Sequence, residues 1–459
     1  MAFLDSSYLL DNKVSKSLYR EVNELPIYDP HTHADVEDIV ENKGWDDIWE
    51  VEAETDHYVW ELMRKRGVEE ELITGSASNK EKWLALADVF PKFAGNPTYE
   101  WVHLDLKRRF GTEKTISSET AEDIWDETGA RLAGDSFKPQ PLLEEMNVKT
   151  LCSTDDPTTR LEYHERARDE VEGLEILPTW RPDKFMKIQG DSWLDSVEQL
   201  GQETGEDVSS FQGFLDALAG THKYFDEMGC LASDHGIERG LTRPVEKSRA
   251  AEIYKKGLAG SENLSKEEVI DFRSFLLVWF GELNKESGWV TQLHIGAVRD
   301  YREELKEELG PDSGGDVGTG NIDFTSNLKY FLNRFDGELD IVLYYLDPGD
   351  LSSVATLSRA FPNVSIGAPW WFNDSPHGIE NQLEYMATVD LLANHAGMVS
   401  DSRKLMSYGS RIEVFRRSLA NVLGKMVERG QIPEEVAKKV VVDIVLSRKK
   451  ELFGFGVER

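Results

Sequence analysis

From Val148 onward the chain alternates short apolar runs, bounded by polar or turn-forming residues, with longer stretches whose apolar positions recur at helical spacing. The runs are Val148 to Cys152, Leu174 to Pro178, Gly229 to Ala232, Val290 to His294, Asp340 to Leu346, Val364 to Ala368 and Ala396 to Val399; Leu25 to Tyr28 precedes them. Runs this short and this apolar suit parallel strands buried on both faces. Helices are predicted between them at Phe211 to Met228 and from Ser265, where Ser265 and Glu268 form a capping box ahead of Val269, Phe272, Leu276 and Phe280. Eight strands with helical crossovers predict an α/β fold, a (β/α)8 TIM-type barrel whose working face is the ring of strand C-termini.

Ala34 to Asn147 carries no convincing strand pattern. It predicts amphipathic helices at Asp46 to Arg66, Asn79 to Phe90, Thr98 to Phe110 and Ser118 to Leu132, punctuated by Asn96-Pro97 and Gly111. A connection of that length is too long for a loop, so a helical insertion between the first and second strands is expected. The expected organisation is 1–33 as N-terminal segment and first barrel strand, 34–147 as helical insertion or lid subdomain, and 148–459 as the rest of the barrel. The tail from Pro433 to Arg459 reads as a helix and short extension packed on the outside.

Each predicted strand hands over to chemistry-bearing residues. If Ile27 to His33 ends a strand, side chains two apart share a face, so His31 and His33 project together as paired imidazoles. Ser153-Thr154-Asp155-Asp156, Trp180-Arg181-Pro182-Asp183, Ser233-Asp234-His235-Gly236, His294, Asp347-Pro348-Gly349, Trp370-Trp371-Phe372-Asn373-Asp374 and Asp401-Ser402-Arg403 follow the other runs. On a barrel they would crowd one mouth, where His31, His33, His294 and Asp401 could surround one divalent cation. A His, His, Asp set with open positions suits Zn²⁺, slightly favoured, or Mn²⁺. No lysine ends the fourth strand to bridge two metals, Asp234 being there instead, so one metal is expected.

The net charge of −33 argues against nucleic acid and against anionic membranes, and means that an anionic substrate needs locally placed arginines. Acidity of this degree also fits a high-salt cytoplasm, although lysine is not depleted relative to arginine, which leaves that reading even. No secretory leader pattern opens the chain and no window reaches the ~18 apolar residues of a membrane span, so a cytoplasmic location is expected. Cys152 and Cys230, far apart in apolar runs, read as buried thiols.

Taken in order, these motifs resemble the uronate isomerase family (glucuronate/galacturonate isomerases) of the amidohydrolase superfamily. Asp56-His57-Tyr58-Val59-Trp60, Ile73-Thr74-Gly75, Gly95-Asn96-Pro97 with Trp101 and His103, and Gln292-Leu293-His294-Ile295-Gly296 belong to the matching set, which spans nearly the whole chain. The resemblance implies aldose–ketose isomerisation of hexuronates through a cis-enediol. It implies a metal held by His31, His33 and Asp401, with Asp401 also helping to remove the C2 proton, and Tyr58 shuttling protons from a lid that excludes water. Arg181 and Arg403 would bind the sugar's oxygens or carboxylate. His294 would ligate the metal or donate to substrate, Asp234 would orient a neighbour or bind a hydroxyl, and Trp371 would face the sugar ring. Plainer roles stand beside these: Tyr58 as a core tyrosine, the arginines as partners of clustered carboxylates, one of Trp370 and Trp371 as packing. Alternation points His57 and His235 away from the mouth, and Asp155 and Asp156 read as caps of a helix starting near Pro157.

Two other functions remain in view. A metal-dependent hydrolase on the same barrel would want a histidine after strand six and commonly a lysine after strand four, where this chain has Asp347 and Asp234. A metal-stabilised scaffold gives no reason for polar groups at every strand end. As a large α/β enzyme the chain is compatible with a symmetric homo-oligomer.

Overall fold

The computed structural model describes residues 3–190, 192–239, 242–260, 262 and 264–457. Among them the chain is α/β, with strands β1 Ile27–Asp29, β2 Val148–Cys152, β3 Glu175–Leu177, β4 Ala232–Ile237, β5 Val290–Ile295, β6 Ala297–Val298, β7 Val317–Gly318, β8 Ile341–Tyr345 and β9 Val364–Ile366. One parallel sheet runs β1-β2-β3 and another β4-β5-β8-β9, while β6 and β7 make a small antiparallel ribbon. β5 and β8 are buried along their whole length, the pattern of strands covered on both faces. Trp180 links the two sheets through bridges to Asp155 and Ser233. At the other edges, Ala396 N donates to Ile366 O at 2.9 Å, Thr32 N to Cys152 O at 2.9 Å and Asp401 N to His31 O at 3.2 Å. The segment 396–402 therefore bonds to the end of β9 on one side and to the continuation of β1 on the other.

Local sequence explains where several elements differ from expectation. The predicted strand Ala396 to Val399 is an extended segment without a strand ladder, interrupted by Gly397 at φ +83°. The fourth strand begins at Ala232 and not at Gly229, because Gly229, at φ +80°, belongs to the end of the helix Phe211–Glu227. Ser233, Asp234 and His235 thus lie inside β4. The single helix expected at Asp46 to Arg66 is two, Ile48–Glu52 and His57–Lys65. Asp56 starts the second by accepting from Tyr58 N at 2.9 Å. No helix begins near Pro157; Asp156 closes a turn onto Thr158 N at 2.9 Å, and the helix starts at Glu162. The capping box at Ser265 and Glu268 is present, opening the helix Lys266–Ser287.

Helices alone occupy the described chain between β1 and β2, and Trp49, Trp83 and Phe90 from them share one hydrophobic cluster with Leu419 and Val422 of the helix Ser407–Glu428. The C-terminal tail does not lie on the outside. Leu452, Phe453 and Phe455 pack with Cys152, Val290 and Val342 of the strands, and Lys449 Nζ donates to Met398 O. The last two positions of that tail lie outside the described residues. Cys152 and Cys230 are free and buried, and no described helix is long and apolar enough to cross a membrane.

Buried neutral histidines give the fold a pH dependence. Burial pushes His395 down to about 3, and its Nδ1 accepts from Gly397 N at 2.9 Å, a role that protonation abolishes. The folded pKa lies below the ordinary 6.5, so the unfolded chain binds the extra proton first: this contribution is complete above pH 6.5 and is lost as pH falls toward 3. In urea unfolding between pH 6.5 and 4, His395→Gln should flatten the fall in stability by up to roughly 1.4 kcal/mol per pH unit relative to wild type. A slope unchanged by the substitution would show that His395 does not titrate in this way.

Candidate active site

Two strand ends supply the centre. Past β1, His33 N donates to Ser402 O at 3.1 Å while Asp401 N donates to His31 O, so the two segments are laced by their backbones. Beneath them the buried Asp29 carboxylate accepts from Ser400 Oγ at 2.6 Å. His31 Nε2 then lies 3.0 Å, and His33 Nε2 3.2 Å, from Asp401 Oδ1. Asp401 adopts φ +41°, a left-handed conformation that a non-glycine residue holds only when its surroundings impose it.

Ligand atoms of His31, His33 and Asp401 lie within 4.8 Å of one another, as do those of His31, Asp234 and His294. The charges suit a cation. Burial opposes charge on Asp401, but hydrogen bonds and charge from His31 and His33 hold its pKa well below the carboxylate range. Burial lowers His33 to about 4, leaving a neutral imidazole. Burial also opposes charge on His31, yet Asp234 and Asp401 on either side raise it, the mark of a local excess of carboxylate.

A cavity of about 750 Å³ opens above this centre, lined among others by His33, Tyr58, Arg181, Trp370, Trp371, Asp401 and Arg403. Arg181 sits between Asp183 and Asp234, with Nε 3.1 Å from Asp183 Oδ2 and Nη1 3.1 Å from Asp234 Oδ2. Gly236 makes room for it: a Cβ there would meet Arg181 Nη2 at 2.5 Å. Arg403 is exposed, its nearest carboxylate Asp312 at 3.8 Å. Tyr58, at the start of its helix, stacks on His57 at 4.7 Å and meets Trp101 edge-on at 5.8 Å. Burial keeps its phenol protonated, with a pKa well above the ordinary value.

Asp234 and His294 are fully buried and stand behind the cavity wall. His294 Nδ1 lies 2.6 Å from Asp234 Oδ1, and its Nε2 is buried without a hydrogen-bond partner. Asp234 faces Arg181, His31 and His294, a placement that fits orienting these neighbours and does not fit binding a substrate hydroxyl. His57, expected to point away, lines the cavity and meets Trp371 edge-on at 5.5 Å. His235 does turn inward, with Nε2 2.9 Å from Ser233 Oγ and its ring stacked on Phe280. Trp370 and Trp371 are both buried and both line the cavity; Trp371 adopts φ +52° and carries the Arg299 guanidinium 5.0 Å above its ring.

Sequence reasoning missed four charged groups. Asp183, two residues after Arg181, accepts from Gly236 N at 2.7 Å and pairs with Arg181. Arg299 directly follows the short strand β6, which the apolar pattern does not mark out from the end of β5. Lys404 and Arg411 have partners, Glu52 and Asp374, that lie 352 and 37 residues away in the chain. Arg411 is buried, its Nε 2.6 Å from Asp374 Oδ2, with the guanidinium over the rings of Trp101 at 4.8 Å and Tyr58 at 5.9 Å.

The sequence profile described as Glucuronate isomerase matches residues 1–453. The chain is 56% identical over 454 residues to the uronate isomerase of Thermotoga maritima, covering 99% of this chain and 100% of that protein. It is 38% identical over 468 residues to the uronate isomerase of Salmonella heidelberg, covering 98% and 99%. The crystal structure of the Thermotoga maritima protein superposes with a TM-score of 0.97 over 99% of this chain and 100% of that one. A glucuronate isomerase from Caulobacter crescentus superposes with a TM-score of 0.95 at 26% identity, covering 100% and 98%.

The Arg411–Asp374 pair makes a stability test of this wall. Arg411→Met leaves Asp374 buried and alone and should cost about 3–5 kcal/mol in urea unfolding, whereas adding Asp374→Leu should restore most of the loss. Equal losses in the single and double variants would mean that packing, not the orphaned charge, sets the cost.

Proposed function

The chain belongs to the glucuronate isomerase family, and from that premise we propose that this isomerase interconverts D-glucuronate with D-fructuronate and D-galacturonate with D-tagaturonate in the cavity above His31, His33 and Asp401. The observation that carries the reading is the convergence of these three residues on one point beneath a cavity lined by Tyr58, Arg181 and Arg403. The bonds made by segment 396–402 to both flanking strands support closure of the sheets into a (β/α)8 barrel, with 34–147 as the lid subdomain between the 1–33 and 148–459 parts. A cytoplasmic place of work is compatible with the strong net negative charge.

The donor set fits a divalent metal: a carboxylate held ionised, one neutral imidazole, and a second imidazole, His31, whose pKa the flanking carboxylates Asp234 and Asp401 raise against burial. Both candidate groups include His31, which favours one ion over two. Bound there, the ion would polarise the oxygens of the open-chain sugar, and the nitrogen and oxygen donors suit Zn²⁺ slightly better than Mn²⁺.

In the aldose, the C1 carbonyl acidifies the C2 hydrogen. Asp401, held ionised, assists its removal, and the proton returns to C1 to complete the ketose. Meanwhile the O2 proton must reach O1; the Tyr58 phenol, protonated and at the cavity wall, donates to one oxygen of the cis-enediol and accepts from the other. Arg403 and Arg181 hold the carboxylate and hydroxyls, a planar fork of donors suiting both. Trp371 offers an apolar face. A hydrolase would have no use for the phenol and arginines, and no observation favours that alternative.

Proton NMR of the protein with each hexuronate in D₂O should show ketose signals and exchange at C1 or C2. Asp401→Asn and His33→Ala should each lower turnover by about 10²-fold or more, and a chelator should abolish it until Zn²⁺ or Mn²⁺ is returned. If neither sugar changes with the metal-loaded protein from low to multimolar salt, the hexuronate assignment fails.

A further inference from the structure

A second group of charges lies in the cavity wall and takes no part in the reaction as proposed. Lys404 comes three residues after Asp401 and is buried. Its Nζ lies 2.9 Å from Glu52 Oε2, 3.7 Å from Asp56 Oδ2 and 3.9 Å from Asp105 Oδ2. One ammonium thus gathers carboxylates from the end of the helix Ile48–Glu52, the cap of His57–Lys65 and the last turn of Pro97–Arg108. Glu52 and Asp105 are almost wholly buried, and Ser410 Oγ donates to Asp105 Oδ2 at 3.1 Å. An arrangement with more acids than bases in a buried place is costly, and it is seldom the means of stability.

What the cluster does is fix one element against another. Asp56 uses its two oxygens differently: Oδ1 accepts from the backbone N of Tyr58 at 2.9 Å, and Oδ2 faces Lys404. A single carboxylate therefore joins the first turn of the Tyr58 helix to the loop that carries Asp401 and Arg403. The break between Ile48–Glu52 and His57–Lys65 is what places Glu52 and Asp56 on the same ammonium.

We infer that Lys404 is a positioning residue which, through the capping carboxylate of Asp56, holds the Tyr58 phenol in register with the Asp401 loop. The inference rests on the proposed proton-shuttle role of Tyr58. Displacing a proton-transfer group by about 1 Å can cost on the order of 10²-fold in rate while leaving substrate binding alone. The effect of losing Lys404 therefore falls on kcat and passes through Tyr58.

The test is a double-mutant cycle on the metal-loaded enzyme with D-glucuronate or D-galacturonate, whichever turns over. Lys404→Met should lower kcat by about 10²-fold with KM within about threefold, and Lys404→Arg should recover part of the loss. Zn²⁺ affinity, read by competition with a chelator, should stay within about threefold, since the candidate ligands are untouched. Lys404→Met with Tyr58→Phe should lose no more than Tyr58→Phe alone. Asp56→Asn keeps an oxygen for the Tyr58 cap but removes the charge, and should lower kcat by about 10-fold at constant KM. Because it leaves the buried ammonium partnered by Glu52, it and its double variant with Tyr58→Phe give the same test if Lys404→Met does not fold. Losses that multiply in the double variants, or wild-type kcat in Lys404→Met or Asp56→Asn, overturn the inference and leave the isomerase reading standing. Undiminished turnover in Tyr58→Phe removes the proposed role of Tyr58 and this inference with it.

Discussion

The buried carboxylate of Asp29 is the tie on which the centre depends. Its Oδ1 accepts from Ser400 N at 3.1 Å and from His31 N at 3.4 Å, and its Oδ2 accepts from Ser400 Oγ at 2.6 Å. Burial raises its pKa, and Lys449 and the Ser400 bonds pull the other way. His31 and Asp401 are 370 residues apart in the chain, yet this one side chain fixes the backbones on which both depend. Their side chains meet because the strand ends are already joined. In a site of that kind the backbone, and not the side chains alone, sets the positions of the candidate ligands.

The same economy governs the charges around the cavity. In a chain of net charge −33 the acids at the site gather on a few cations: Asp183 and Asp234 on Arg181, Glu52, Asp56 and Asp105 on Lys404, and Asp374 on Arg411. Such pairs add little to stability against apolar residues of the same shape, but removing one member leaves an exposed cost in the other. Their effect is geometric. Arg181 spans β4 and the turn after β3, and Arg411 spans the helix Ser407–Glu428 and the loop bearing the two tryptophans, so each pair fastens one wall of the cavity to another.

How much of this the sequence discloses depends on whether a residue's role is set locally. Strand-end histidines two apart, the Ser265 capping box and the apolar runs of β2, β5 and β8 follow from spacing alone, and the structure has them. β4 was misplaced because polar residues inside a strand that faces a charged interior look like a loop. The strand expected at Ala396 fails at Gly397, where one positive φ breaks a ladder that composition would allow. The split of the helix at 53–56 turns on Asp56 acting as a cap, which periodicity does not register. Lys404 and Arg411 were invisible for another reason: their partners, Glu52 and Asp374, are 352 and 37 residues away. A lone charge on a helix or after a strand reads as solvated until the fold supplies its partner.

The arrangement of cations also bears on how an anion is received by so acidic a protein. At physiological ionic strength screening acts over about 8 Å, so carboxylates on distant surfaces count for little within the cavity and the nearest cations decide. Those cations are not equivalent. Arg181 lies within 3.1 Å of two carboxylates, and Lys404 within 2.9 Å of one. Among the described residues Arg403 has only Asp312 at 3.8 Å as a carboxylate partner, and it is exposed. Turning to a ligand carboxylate would cost Arg181 bonds that hold Asp234 and Asp183 in place, while Arg403 has little to give up. Arg181 is therefore the more firmly framed of the two guanidiniums, and Arg403 the freer to turn.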